Sequence, residues 1–359
     1  MPRLPPSLLR QAKRRCPNLA ALFPACRDWQ SATNELRWLA EFARETTSPG
    51  HPNAHARLLE RLCRRRGRGV PLQYILGSQP FGFLDIQCRP GVLIPRSETE
   101  AYTLHLIELL KSSKAATEDS NRGMTILDLC TGTGCIPLLV FASLRESFQH
   151  LTVHGVDIAP VAVDLAQRNV EHNVNLGRMA PARPGQALKV FQGDIFSNAD
   201  IERLSASKCD VLISNPPYIS RDVWNFGRGQ MGHSVRKYEP RLALVPDSNI
   251  ASPADWQHED VFYWRLLDIS MTLKPSIALF ELGDEQQIRR VLSGLFRHQI
   301  ADVADVEVWR DWPDGTIDGE QDTELTIPLG THDQTVSVKG SGQMRCIFMR
   351  NRWPHRNSL

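Results

Sequence analysis

Thr125-Ile126-Leu127-Asp128-Leu129 runs directly into Cys130-Thr131-Gly132-Thr133-Gly134-Cys135, and the reading of that join decides the fold. A short apolar run, a glycine-bearing turn and an apolar stretch from Ile136 to Leu144 spell a strand, a tight turn and a helix. Glycines at such a turn let the backbone approach a ligand closely and present amide N–H groups to it. Alone the pattern is weak, because a tight turn uses glycine for its own sake.

Working outward, further strand candidates are Leu151 to Val156, Lys189 to Gln192, Val211 to Ser214 and Ser276 to Leu282. They alternate with helical stretches, which implies βαβ units and a largely parallel sheet, an α/β fold. Ligands of such sheets bind beyond the carboxyl ends of the strands, so the residues that follow each strand are the candidates. The second strand ends at Asp157, an acid placed to accept from a ribose diol. A nicotinamide cofactor would suit that spacing too, so the two features indicate a nucleoside before they indicate which one. After the third strand, Asp194 is placed to accept from an adenine amino group and Ile195 to pack on the ring. An acid there is equally a helix cap.

The fourth strand delivers Asn215-Pro216-Pro217-Tyr218. Two successive prolines remove two backbone donors and fix φ twice, so the Asn215 side chain and the neighbouring carbonyls are held as acceptors. Such acceptors suit a planar –NH₂ group, each taking one of its hydrogens while Tyr218 packs against the flat group. An amide nitrogen is a poor nucleophile, and acceptors that stabilise positive charge growing on it act more strongly in the transition state than in the ground state. Asn215, Pro216, Pro217 and Tyr218 are therefore the candidate catalytic residues. Thr131, Gly132, Thr133, Gly134, Cys135, Asp157, Asp194, Ile195 and Asn215 are the candidate cofactor-binding ones.

Upstream, the pattern from Asp28 to Arg66 is helical, with Leu36, Leu39 and Ala40 in one segment, Leu58, Leu59 and Leu62 in the next, and a breaker at Ser48 to Pro52 between them. Residues 1–78 read as a small helical domain and 79–97 as a hairpin linker. The linker carries alternating Phe81, Phe83, Ile86, Val92 and Ile94 around Arg89-Pro90-Gly91. Residues 98–359 read as the catalytic domain, opening with a helix from Glu98 to Lys111 and a polar stretch through Gly123. Gly177 to Ala187 and Gly315 to Gly342 read as insertions, the second with its own alternation at Leu325, Ile327, Val336 and Val338.

Composition sets bounds. With 359 residues, 42% hydrophobic and 23% charged, two globular domains are expected. A net charge of +2 excludes a surface coated in cation for long nucleic-acid contacts. The 8 cysteines show no Cys-x-x-Cys pair; of the 11 histidines, His51/His55 and His150/His154 stand four apart, but neither pair has a cysteine or third histidine beside it, so neither a disulfide framework nor a metal site is expected. No run approaches the roughly 20 apolar residues of a membrane span. Arg57, Arg61, Arg64, Arg65, Arg66 and Arg68 read as a solvated helix face or an RNA-facing patch. Before Asp28 there is no acid, while Arg3, Arg10, Lys13, Arg14, Arg15 and Arg27 are basic. That is the bias of a mitochondrial transit segment or of an ordinary basic first helix.

At these residues the sequence resembles the HemK family of glutamine-N5 methyltransferases. The likeness is carried by Pro71 to Gly77, Val92 to Glu100, Asp128 to Ile136, Asn215 to Ile219 and Tyr238 to Leu244. It implies a Rossmann-like class I methyltransferase domain dependent on S-adenosyl-L-methionine, with a helical substrate-recognition domain and a hairpin linker. It implies as substrate the glutamine of the Gly-Gly-Gln motif of a class 1 peptide-chain release factor. Cofactor contacts fall at Thr131 to Cys135, Asp157 and Ile195, and the amide clamp at Asn215 to Tyr218. A monomer in the mitochondrial matrix is expected, with the cytoplasm as the alternative and no nucleic-acid substrate. Cys130 stands where the wider pattern often has glycine, and Lys274-Pro275-Ser276 lacks the usual glycine pair. Two other functions compete: adenine-N6 methylation of DNA or RNA, since that exocyclic amine fits the same clamp, and a catalytically silent scaffold, against which the intact Asn215 to Tyr218 argues.

Overall fold

The computed structural model describes residues 4–48, 52–113, 123–205, 208–227, 231–316, 321–330 and 332–354. Most of the breaker before Pro52, of the polar stretch before Gly123 and part of the 315–342 insertion lie outside them, as does Arg3. The chain divides into two units: Met1–Gln79 with Cys88–Ile94 and Asp222–Pro240, and Pro80–Gln87 with Pro95–Arg221 and Arg241–Leu359.

The first unit is helical. It contains α1 (Pro6–Arg15), α2 (Pro17–Cys26), α3 (Trp29–Thr46), α4 (Pro52–Gly67) and α5 (Leu72–Leu76). The acid-free start forms packed structure: Ala12 of α1 and Leu22 and Phe23 of α2 are fully buried, with Leu39 of α3, in one core. Asp28 caps α3 by accepting from the Ser31 N–H at 2.8 Å. The arginine run is not uniform. Arg57, Arg61, Arg64, Arg65 and Arg68 are exposed, whereas Arg66 is half-buried and forms a fork on Glu35 at 2.7 and 2.9 Å. Segments distant in sequence close this unit: Ser234 donates to the Gly69 carbonyl and the buried Glu239 accepts from the Ile94 N–H at 3.2 Å.

A two-stranded hairpin, β1 (Ser78–Phe81) and β2 (Leu84–Gln87), turns at Gly82-Phe83. Arg89-Pro90-Gly91 does form a turn, closed by the Val92 N–H on the Arg89 carbonyl at 3.3 Å, but it lies after β2 and is not the turn of the hairpin. Gly82, at a φ of 57°, supplies the left-handed residue that a two-residue connection requires, while Val92 and Ile94 are buried outside any strand.

The second unit is built on a nine-stranded sheet. Its elements are α6 (Ser97–Lys111), β3 (Met124–Leu129), α7 (Cys135–Leu144), β4 (Leu151–Asp157), α8 (Pro160–Asn175), β5 (Gln186–Gln192), α9 (Asn198–Ser205) and β6 (Val211–Ser214). The chain then returns to the first unit with α10 (Arg221–Phe226) and α11 (His233–Tyr238), and the second unit resumes with α12 (Val261–Leu273), β7 (Ile277–Glu281), α13 (Glu285–Leu295), β8 (Ala304–Trp312), β9 (Glu324–Pro328), β10 (Asp333–Lys339) and β11 (Ser341–Asn351). Strand order is β5-β4-β3-β6-β7-β11-β8-β10-β9. The first five strands are mutually parallel, and β11 runs antiparallel between β7 and β8. The second insertion thus extends the sheet edge, β10 pairing in parallel with β8.

Period-2 alternation sorts each strand onto two cores. Leu127, Leu129, Leu212, Ala278 and Phe280 pack with α12 and α13, whereas Ile126, Val211, Ile213, Ile277 and Leu279 pack with α6 and α7. Helix α7 is apolar on every side, eight of its ten residues being buried, as a helix enclosed by other elements must be. Each fully buried Leu or Phe contributes about 1.5–3 kcal/mol.

Candidate active site

Register brings the strand ends to one level. Leu129 lies opposite both Val156 and Ser214, Asp157 opposite Gln192, and Ser214 opposite Phe280. The residues that follow these strands therefore line one edge, at the crevice where the chain reverses its progress between β3 and β6. Alternation then decides which of them share a face. Asp128, Asn215 and Glu281 continue the rows that point toward α6 and α7.

The turn after β3 is built from left-handed residues, with φ of 64° at Cys130, 56° at Gly132 and 77° at Gly134. Cys130 therefore adopts the glycine-like conformation that its position asks for, and Lys274 does the same at the end of α12 with a φ of 51°. A Cβ on Gly134 would meet the Ala166 Cβ at 2.9 Å, so glycine here lets α7 start against α8. Gly155 on β4 leaves room for Thr131, whose hydroxyl a Cβ would meet at 2.8 Å. Thr131, Thr133 and Cys135 are buried, and Asn169 donates to the Thr133 carbonyl at 2.9 Å.

Asp157 braces that turn. One carboxylate oxygen accepts from the Gly132 N–H at 2.8 Å and the other from the Ala159 N–H at 2.9 Å. Burial raises its pKa, and the two amide contacts oppose the rise. Each oxygen retains a lone pair for a further donor. Asp194 accepts on Oδ1 from the Phe196 N–H at 2.9 Å, a local turn ahead of α9, whose first turn is met instead by the Ser197 hydroxyl accepting from the Asp200 N–H at 3.3 Å. Ile195 is buried in the core on the α12 side.

On the reacting side, Ser214 is tied to the Leu129 carbonyl at 2.8 Å. Asn215 donates from Nδ2 to Glu281 Oε2 at 2.8 Å and to Thr99 Oγ1 at 3.4 Å. The Tyr218 hydroxyl donates to Glu281 Oε1 at 3.2 Å, and Gln287 Nε2 donates to the Tyr218 carbonyl at 3.2 Å. The Tyr218 ring lies against Gly283, where a Cβ would meet it at 3.0 Å. Pro216 and Pro217 are buried between these anchors.

Residues 103–230 match the model of the methyltransferase small domain. The mitochondrial MRF1 N(5)-glutamine methyltransferase of Saccharomyces cerevisiae is 37% identical over 81% of this chain and 79% of its own length. The probable mitochondrial counterpart of Schizosaccharomyces pombe is 32% identical over 78% of this chain and 85% of its own length. The chain belongs to the N5-glutamine methyltransferase family. The release factor glutamine methyltransferase of Bacillus subtilis, another relative, is 30% identical over 61% of this chain and 64% of its own length.

Three residues at this site of the methyltransferase escaped the sequence reading. Asp128 is fully buried and, among the described residues, neither oxygen makes a hydrogen bond of normal geometry; burial pushes its pKa up to about 8, the adjacent Thr131 hydroxyl weakly opposing and Asp157 adding to the rise. Glu281 is 2% exposed, its pKa likewise raised by burial. Thr99 of α6 donates to Glu281 Oε2 at 2.7 Å. The only available signal was an acid at or beside the end of an apolar strand, which does not distinguish a buried carboxylate from a solvated one. Among the described residues no group of histidine, cysteine and acid side chains is arranged to hold a metal, and no helix is long and apolar enough to cross a membrane.

Proposed function

We propose that this chain transfers a methyl group from S-adenosyl-L-methionine to the side-chain amide nitrogen of the glutamine in the Gly-Gly-Gln motif of a class 1 peptide-chain release factor. The observation that carries the reading is the orientation of Asn215. Its Nδ2 faces Glu281 and Thr99, so its Oδ1 is the end left to accept, and no hydrogen bond from the described residues reaches that oxygen. An acceptor beside two prolines that lack N–H groups suits a substrate –NH₂.

The residues present fit the cofactor. The unpartnered, buried Asp128 is suited to a cationic group beside the glycine turn, the first-turn amides of α7 to an anionic one, and Asp157 to a diol. When bound, the cofactor supplies a methyl group on a sulfonium sulfur. Asn215 Oδ1 and the Pro216 carbonyl hold the two amide hydrogens and turn the nitrogen lone pair toward that methyl. The same oxygens stabilise the positive charge that grows on nitrogen, and Tyr218 stacks on the amide plane. The N–C bond would form as the methyl–sulfur bond breaks with its electron pair left on sulfur, and the nitrogen would give up its surplus proton to water, so no metal or covalent nucleophile is called for.

The helical unit is the part we assign to recognition of the protein substrate, within a division at 1–78, 79–97 and 98–359. A monomer in the mitochondrial matrix is the setting we propose, the location supported by the two yeast relatives. The test is transfer of labelled methyl from S-adenosylmethionine to a Gly-Gly-Gln release factor, with adenine-containing DNA and RNA in parallel. Labelling of the factor that Asn215→Ala abolishes supports the proposal. Labelling of nucleic acid instead assigns adenine-N6 methylation, and cofactor binding without transfer to either assigns a silent scaffold.

A further inference from the structure

We infer that Glu281 is a positioning residue for transfer: its carboxylate locks the Asn215 amide with Nδ2 inward and strengthens Oδ1 as the acceptor presented to the substrate. The inference rests on the proposed reaction and deepens it.

Three side-chain donors, one from α6 and two from the segment after β6, converge on this one carboxylate. Thr99 of α6 and Asn215 after β6 reach Oε2 at 2.7 and 2.8 Å, and Tyr218 reaches Oε1 at 3.2 Å. The main chain is pinned as well, since the Tyr263 hydroxyl donates to the Glu281 carbonyl at 2.7 Å. Arg345 holds the next two carbonyls, of Leu282 and Gly283, both at 3.1 Å, and is itself fixed by Asp311 at 2.8 Å. A side chain held at so many points has one position.

An ionised carboxylate only accepts, so it imposes an orientation on an amide beside it. With the amide turned over, Asn215 Oδ1 would face Glu281 Oε2 at 2.8 Å, two acceptors with no proton between them. That arrangement is excluded, and the substrate meets a carbonyl oxygen rather than an N–H pair. Charge adds a second effect. Donation from Nδ2 to an anion draws electron density toward Oδ1, and hydrogen bonds in such a chain strengthen one another in a low-dielectric interior. Positive charge developing on the substrate nitrogen is then felt by Glu281 through Asn215, without contact between Glu281 and substrate.

A purely structural acid, tying α6 to the sheet, would look similar in a static view, so the test must separate the two. Glu281→Gln keeps the volume and one acceptor but removes the charge and the fixed orientation. The expected result with the full chain is a kcat toward the release factor lower by roughly 100-fold, with KM for the factor and Kd for S-adenosylmethionine within about threefold of wild type. Its melting temperature should be equal or higher, because a buried charge has been removed. Thr99→Val, which takes away one of the donors that hold the carboxylate, should give an intermediate kcat. Unchanged kcat in Glu281→Gln, or a loss of kcat that merely follows a loss of folded protein, overturns the inference.

Failure of the proposed reaction itself would show as a wild-type chain that does not label the factor. The orientation remains measurable in that case by the side-chain ¹⁵N–H signals of Asn215, assigned by their loss in Asn215→Ala. Wild type should show one proton slow to exchange and shifted downfield, and Glu281→Gln should lose both features. Signals that are the same in both proteins contradict the inference.

Discussion

Ser214 Oγ donates to the carbonyl of Leu129 at 2.8 Å, fastening the last residue of β6 to the last residue of β3. Cys130 and Asn215, the next residue of each strand, open the glycine turn and the amide clamp, so this one bond sets the spacing between the two halves of the site. Ser214→Ala leaves a buried carbonyl without its partner, at a cost of about 1–3 kcal/mol. The urea midpoint should fall with an unchanged slope. Transfer should drop further than the loss of folded protein explains, measured at a temperature where both proteins are fully folded.

Asp157 receives two backbone N–H groups on its two oxygens. Asp157→Asn replaces one acceptor by an –NH₂, which must face an amide donor whichever way it turns. The turn at Gly132 should loosen, and calorimetric Kd for S-adenosylmethionine should rise by about tenfold or more.

Gly134 sits at a φ of 77°, with space for no Cβ between it and Ala166. Gly134→Ala combines left-handed strain with overpacking and should cost about 1–3 kcal/mol in chemical denaturation. Cofactor binding should weaken in parallel.

Asp128 gives the stability a pH dependence. Its pKa is raised from 3.8 to about 8 in the folded chain. Over that window the folded state therefore holds a proton that the unfolded state has released, and stability falls as pH rises from about 4 to about 8. Asp157 and Glu281 shift in the same direction and contribute the same sign. Asp128→Asn should melt higher than wild type at about pH 8 and lose less on going from about pH 5 to pH 8. It should also bind S-adenosylmethionine more weakly, since the cofactor's cationic group has lost its carboxylate. An identical slope in variant and wild type would refute the assignment.

The five parallel strands were legible because a strand buried on both faces is a near-continuous apolar run, as in Val211 to Ser214 and Ile277 to Phe280. Strand β8 was not: Asp305, Glu307, Arg310 and Asp311 interrupt it, and its pairing with β10 and β11 comes only from the tertiary fold. The hairpin was legible but its turn was not, since Arg89-Pro90-Gly91 reads as a stronger breaker than Gly82-Phe83. At the site, Asn215 to Tyr218, Asp157 and the glycine turn were visible as strand ends. Glu281 and Asp128 stayed hidden because their meaning lies in burial and in partners distant in sequence, Thr99 for the first and the absence of any for the second.

The central claim is that Asn215 offers its oxygen to a trigonal nitrogen beside the methyl donor. The most direct measurement is a crystal structure with S-adenosylhomocysteine and a glutamine-bearing Gly-Gly-Gln peptide. The account predicts the glutamine Nε2 within hydrogen-bond distance of Asn215 Oδ1, with Nδ2 still on Glu281 and Tyr218 stacked on the amide. A glutamine bound elsewhere, or Asn215 Nδ2 turned toward it, would contradict the account.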